Sequence, residues 1–109
     1  MYVKVCADSE IREEGVMYRF EVDGRAIMIA KLDNEGIYFA ASPTCTHQEA
    51  DLSLGILSGS QITCPLHQAK FDIRTGKVIE GPDGEEAESI STLETFATKV
   101  ENGVIWVDL

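Results

Sequence analysis

Both histidines of this chain and two of its three cysteines fall in two short motifs, Cys45-Thr46-His47 and Cys64-Pro65-Leu66-His67. Each motif offers one thiolate and one imidazole from a tight loop, so any fold that uses them together must bring the two loops face to face. The intervening residues 48–63 contain Gly55 and Gly59 and end in a short strand-like run, Gln61-Ile62-Thr63, which is enough chain to turn back. Pro43 stiffens the approach to the first loop and Pro65 stiffens the second.

Two sulfur and two nitrogen donors suit two kinds of centre. Mixed ligation of this kind holds a binuclear iron–sulfur cluster with two sulfur ligands on one iron and two nitrogen ligands on the other. A Cys₂His₂ set also makes a tetrahedral zinc site. The one-residue gap in Cys45-x-His47 is shorter than zinc knuckles commonly use, and a chain with this many strand-like runs has less need of structural zinc. The spacing therefore favours iron–sulfur, with zinc as the alternative.

The chain has 109 residues, which predicts a single domain that buries roughly 65% of its unfolded surface. Nineteen acidic residues stand against nine basic ones, for a formal charge of −10. That balance argues against nucleic-acid binding. Glu80, Asp83, Glu85, Glu86, Glu88 and Glu94 lie in residues 78–98, a stretch without Lys or Arg. It reads as a solvated loop, or as a patch that steers the chain toward a basic partner. No run approaches the roughly 20 apolar residues of a membrane span, and Met1 to Val5 goes straight into strand-like alternation. The expectation is a cytoplasmic protein without membrane association. Three cysteines make no disulfide framework. Cys6 is expected on a strand beside Tyr2 and Lys4 by alternation, as a small half-buried side chain without a redox role.

Most of the remaining pattern is strand. Met17 to Val22, Asp23-Gly24 and Arg25 to Leu32 predict a tight antiparallel hairpin, and Phe96 to Glu101, Asn102-Gly103 and Val104 to Leu109 predict another. Asn34-Glu35-Gly36 predicts a turn before a strand at Ile37 to Ala41. Further strands are expected at Gln61–Thr63, Lys70–Ile73 and Lys77-Val78, with a turn at Thr75-Gly76. Glu80 to Ser91 is expected to be a loop. The fold class is all-β: an antiparallel sandwich or partial barrel with an inserted small β subdomain.

The flanking residues extend the argument. Cys45-Thr46-His47-Gln48 and the run from Cys64 to Lys77 strongly resemble the Rieske-type ferredoxins of bacterial aromatic-ring dioxygenase systems. So do the opening strand, Glu80-Gly81-Pro82, and the closing run Lys99 to Val107. The resemblance covers essentially the whole chain. It implies one [2Fe–2S] cluster with Cys45 and Cys64 on the buried iron and His47 and His67 on the outer iron. It also implies one Rieske domain over residues 1–109, with a base formed by about 1–41 and 82–109 and a cluster-binding subdomain at about 42–81.

The function this implies is one-electron transfer rather than catalysis. The chain would take an electron from an NAD(P)H-dependent ferredoxin reductase and deliver it to a terminal oxygenase or similar acceptor, as a monomer that binds neither nucleic acid nor membrane. His47 and His67 would form the exit, ringed by Gln48, Leu66, Gln68 and Pro82. High-potential relatives carry an inter-loop disulfide and hydroxyl donors where this chain has Ala50, Leu66, Ala69 and Phe71, so a low potential is expected. The alternatives are a small Rieske subunit of an oxidoreductase, such as an assimilatory nitrite reductase, and a zinc-stabilised interaction module.

Overall fold

The structure is a computed structural model that describes residues 1–109 apart from 33–36, 47–49, 67 and 88–89. The expected turn at Asn34-Glu35-Gly36 therefore lies outside the described residues. Eleven strands are described: β1 (Tyr2–Ala7), β2 (Met17–Val22), β3 (Arg25–Lys31), β4 (Tyr38–Ala41), β5 (Ile56–Ser58), β6 (Gln61–Thr63), β7 (Lys70–Asp72), β8 (Val78–Glu80), β9 (Thr95–Phe96), β10 (Thr98–Glu101) and β11 (Val104–Asp108). The only helical elements among the described residues are short 3₁₀ turns such as Leu52–Leu54 and Pro82–Gly84. The expected all-β antiparallel class is what the structure shows.

Three sheets build the molecule, in the strand orders β1-β11-β10, β2-β3-β4-β9 and β5-β6-β7-β8. The two tight hairpins read from the sequence are present. Asp23 and Gly24 both have positive φ, as do Asn102 and Gly103, the backbone that a two-residue turn needs to match strand twist.

Strand β3 shows how the layers stack. Its run Ala26-Ile27-Met28-Ile29-Ala30 does not alternate, and Ile27 to Ala30 are all fully buried. Ile27 and Ile29 join Cys6, Ile11, Ala40, Ile105 and Val107 in one apolar cluster toward the first sheet. Met28 and Ala30 join Ala41, Leu52, Ile62, Phe71 and Leu93 in another, toward the third sheet. A strand covered on both faces selects apolar residues at every position. The second sheet is thus the middle layer, and the third sheet lies over its far face.

Two local expectations are corrected. Cys6 does not share a face with Tyr2 and Lys4. The β1–β11 register pairs Lys4 with Trp106 but Cys6 with Ile105, so Val5 is an extra residue in a bulge, and a bulge reverses the alternation beyond it. Cys6 therefore points into the core and is buried. Burial, then the nearby Glu10 and Asp8 carboxylates, push its thiol up to about 11, so it remains protonated and poorly nucleophilic at neutral pH. The second correction is at Phe96 to Glu101, expected as one strand. The chain instead changes sheets at Ala97: β9 pairs with β4 and β10 pairs with β11.

Candidate metal centre

The first motif sits in a small closed loop. After β4, the Leu52 amide donates to the Pro43 carbonyl at 2.6 Å, Thr44 bridges to Asp51, and the Cys45 amide donates to the Ala50 carbonyl at 3.0 Å. These nested pairings leave Cys45 at the neck of the loop. The second motif forms the connection between β6 and β7. Thr63 pairs with Lys70, and the Cys64 amide donates to the Ala69 carbonyl at 2.8 Å.

The two loops are closed alike, each by a cysteine amide on an alanine carbonyl five residues on. That equivalence was visible in the sequence as Cys45…Ala50 and Cys64…Ala69, each alanine following a histidine within three residues. Both alanines are buried, as are both cysteines, and all four belong to the same apolar cluster as Leu52 and Phe71. Both thiols thus lie in the same dry environment. Soft thiolates of this kind suit iron–sulfur or zinc. His47, Gln48 and His67 lie outside the described residues, and the histidines are placed here only by their neighbours in sequence.

Gly55 sets how close the loops come. A Cβ on it would lie 2.2 Å from the Thr63 carbonyl oxygen and 3.3 Å from Pro65 Cδ. The 3₁₀ turn that leaves the first loop therefore rests directly against the base of the second, and only glycine permits that approach. Gln68 adopts a left-handed backbone (φ 59°) just before the second loop rejoins β7. Around that loop, Leu54, Ile56 and Leu66 expose apolar surface beside a recess of about 290 Å³ that reaches Cys64 and Pro65. Pro82, expected on the exposed rim, is buried instead. It packs inward because the Gly81 and Glu85 backbones close a tight turn around it.

Two supports of the first loop went unread in the sequence. Asp51, at the exit of the loop, accepts from the Ser53 amide and hydroxyl and from Arg19 on β2 at 2.8 Å. Thr46, between Cys45 and His47, donates its hydroxyl to the Ser91 carbonyl at 2.6 Å. The Arg19–Asp51 and Thr46–Ser91 pairings have no sequence signal, because each joins residues far apart in the chain.

Asp51 also predicts an acid response. Partial burial pushes its carboxyl up, but the Ser53 hydroxyl, the Ser53 amide and Arg19 outweigh this and hold it below its ordinary value of 3.8. Asp72 is lowered likewise, chiefly by the hydrogen bond from the Arg74 side chain. A lowered folded value means that the stabilisation is complete above the ordinary carboxylate pKa and is lost as pH falls through the folded one. We expect urea midpoints to decline below about pH 4, and to decline less in Asp51→Asn than in the native chain. Parallel acid profiles for the two proteins would show that Asp51 contributes nothing.

The profile of the Rieske [2Fe-2S] domain matches residues 1–97. The ferredoxin component of the naphthalene 1,2-dioxygenase system of Pseudomonas putida is 33% identical over 108 residues, covering 99% of this chain and 95% of that protein. The ferredoxin component of biphenyl 2,3-dioxygenase from Rhodococcus jostii is 35% identical, covering 97% of this chain and 91% of that protein. A chain in the complex of reduced oxygenase and oxidized ferredoxin in carbazole 1,9a-dioxygenase superposes with a TM-score of 0.81 at 30% identity, covering 97% of this chain and 91% of that one. A buried thiol pair in matching loops, a whole-chain match to small ferredoxins and the three-sheet fold agree: the chain belongs to the Rieske [2Fe–2S] family, whose cofactor is one Rieske-type cluster, and is an electron carrier of the ferredoxin type.

Proposed function

We propose that this protein takes single electrons from an NAD(P)H-dependent reductase and passes them to a terminal oxygenase, as a cytoplasmic monomer. The cluster would be held by Cys45 and Cys64 on the inner iron and by His47 and His67 on the outer iron, with residues 42–81 as the unit that bears it. The observation that carries this reading is the pair of equivalently closed loops that bury Cys45 and Cys64 in one apolar cluster. Two naturally occurring ferredoxins of dioxygenase systems match this chain over nearly their whole length, and that supports the assignment of a free carrier.

Bound there, the cluster stores and releases one electron, and neutral imidazoles in place of two thiolates ease its reduction relative to an all-cysteine centre. The protein's part is to keep the sulfur side dry and the imidazole side accessible. Cys45 and Cys64 are almost fully buried. Leu66, beside His67 in the chain, is 57% exposed and offers apolar contact to a docking partner. Such an encounter is expected to be small and transient. Among the described residues no helix is long and apolar enough to cross a membrane.

The residues near the cysteines set the potential. Hydrogen bonds to cluster sulfurs raise it, and Ala50, Ala69 and Phe71 bring buried side chains without a donor. The midpoint is therefore expected at the low end of the Rieske range, near about −150 mV. Redox titration of anaerobically purified protein, followed by absorbance and by EPR of the reduced form, tests both points. Two irons and two labile sulfides per chain with a Rieske spectrum support the reading. A colourless protein with one zinc overturns it, and a clearly positive midpoint overturns the argument from missing donors.

A further inference from the structure

We infer that Thr46 is a positioning residue for the outer side of the centre, latching the first ligand loop to the acidic segment 82–94. The inference rests on the ligand assignment proposed above. The described residues between β8 and β9, expected as a loop from Glu80 to Ser91, form a strap held at both ends, Glu80 itself closing β8. The Gly81 amide donates to the Glu85 carbonyl and the Glu85 amide to the Pro82 carbonyl. Farther along, Leu93 is buried and its amide donates to the Gly76 carbonyl at 2.8 Å. The Ser42 amide, at the entry to the first loop, donates to the Glu94 carbonyl at 2.9 Å, while the Glu94 carboxylate pairs with Arg25 at 2.7 Å.

The Ser91 carbonyl is thus an acceptor held in place by its neighbours, two residues from a buried anchor. The short bond from the Thr46 hydroxyl to it fixes the peptide that separates Cys45 from His47. At the corresponding positions of the second loop no side chain can make such a bond, because Pro65 and Leu66 carry no polar side-chain atom. That loop relies on its own stiffness, from Pro65, and on the fit of Gly55 beneath it. The two loops are accordingly held by different means, the first by a tertiary hydrogen bond and the second by local backbone.

The test compares Thr46→Val, which keeps the shape and removes the hydroxyl, with Thr46→Ser, which keeps the hydroxyl. Holo-protein of each is challenged with an iron chelator at neutral pH while the visible absorbance is followed, and the reduced EPR spectrum is recorded. One net hydrogen bond corresponds to about a five-fold change in rate. The valine variant should lose its cluster about five-fold faster and show a broadened or shifted spectrum, with the serine variant within about two-fold of the native protein. Failure of the valine variant to load iron, while serine loads normally, has the same meaning. Native behaviour of the valine variant overturns the inference. So do equal defects in both variants, which would assign the effect to the methyl group, and failure of both to load. A native protein without a Rieske spectrum would instead overturn the ligand assignment.

Discussion

Gly76→Ala is expected to lower the stability of the fold by about 3–4 kcal/mol, against about 1 kcal/mol for Gly24→Ala. Both glycines have left-handed backbones, with φ of 79° and 75°, so any side chain carries the same conformational cost at each. They differ in what surrounds them. Nothing lies within 4 Å of a Cβ built on Gly24, whereas one built on Gly76 falls 2.0 Å from the Leu93 carbonyl oxygen. That oxygen is backbone and cannot rotate away. The turn and the strap must separate, which breaks the Leu93 amide bond to Gly76 and partly exposes a buried leucine. A lost hydrogen bond and part of a leucine's burial each add about 1 kcal/mol or more. Domains of this size have a total of about 5–15 kcal/mol, so the change should be large in a urea titration. Equal midpoints for the two variants would show that the strap is not pressed against Gly76.

The strap also marks where sequence reading ran out. Its composition, acidic and interrupted by Pro82 and Gly84, is that of a loop, and among its described residues between β8 and β9 only short 3₁₀ turns such as Pro82–Gly84 form. What fixes it is Leu93 in the core, backbone bonds to Gly76 and Ser42, and the Thr46 hydroxyl on the Ser91 carbonyl, none of which leaves a periodic pattern. The hairpins at Asp23-Gly24 and Asn102-Gly103 were legible because the turn chemistry is local. The inversion at Cys6 was not, since a bulge depends on the partner strand as well as on β1 itself. The sheet change at Ala97 leaves only a break in alternation, Phe96-Ala97 followed by Thr98-Lys99, and that break does not say that the pairing partner switches from β4 to β11.

The family was the most legible feature, because thiols and imidazoles are few and their spacing carries the chemistry. Yet the sequence named only the proposed donors. The parts that hold the two loops, Asp51 paired with Arg19, Thr46 bonded to Ser91 and Gly55 seated under Thr63, are ordinary residue types. They acquire meaning only when the chain is folded. Ala50 and Ala69 are intermediate: their matching offsets from Cys45 and Cys64 were on view, but the shared closing bond gives the offset its reason.

Removing the cluster should loosen the loops before the base. On the ligand assignment proposed above, ligation from both motifs would join two loops across residues 48–63, and by analogy with a disulfide over a loop of that size it would be worth on the order of 3 kcal/mol. The unit it supports has little else. Strands β5, β6, β7 and β8 have three residues each, a length at which a sheet needs a packed face to persist. Part of that face is Cys45, Cys64, Ala50 and Ala69 themselves. The base has the six-residue β2 and seven-residue β3 paired along Met17–Ala30 to Val22–Arg25, with Ile27, Ile29, Ile105 and Val107 fully buried between its layers. Hydrogen exchange on native and chelator-stripped protein separates the two cases. The Cys45 and Cys64 amides, which close the loops, should lose protection by about two powers of ten, the exchange equivalent of 3 kcal/mol. Amides in β2, β3 and β11 should keep theirs. Uniform loss across both sets would mean that the middle sheet cannot stand without its outer layer, and that the stacking of Met28 and Ala30 on the third sheet, rather than the metal, couples the whole molecule.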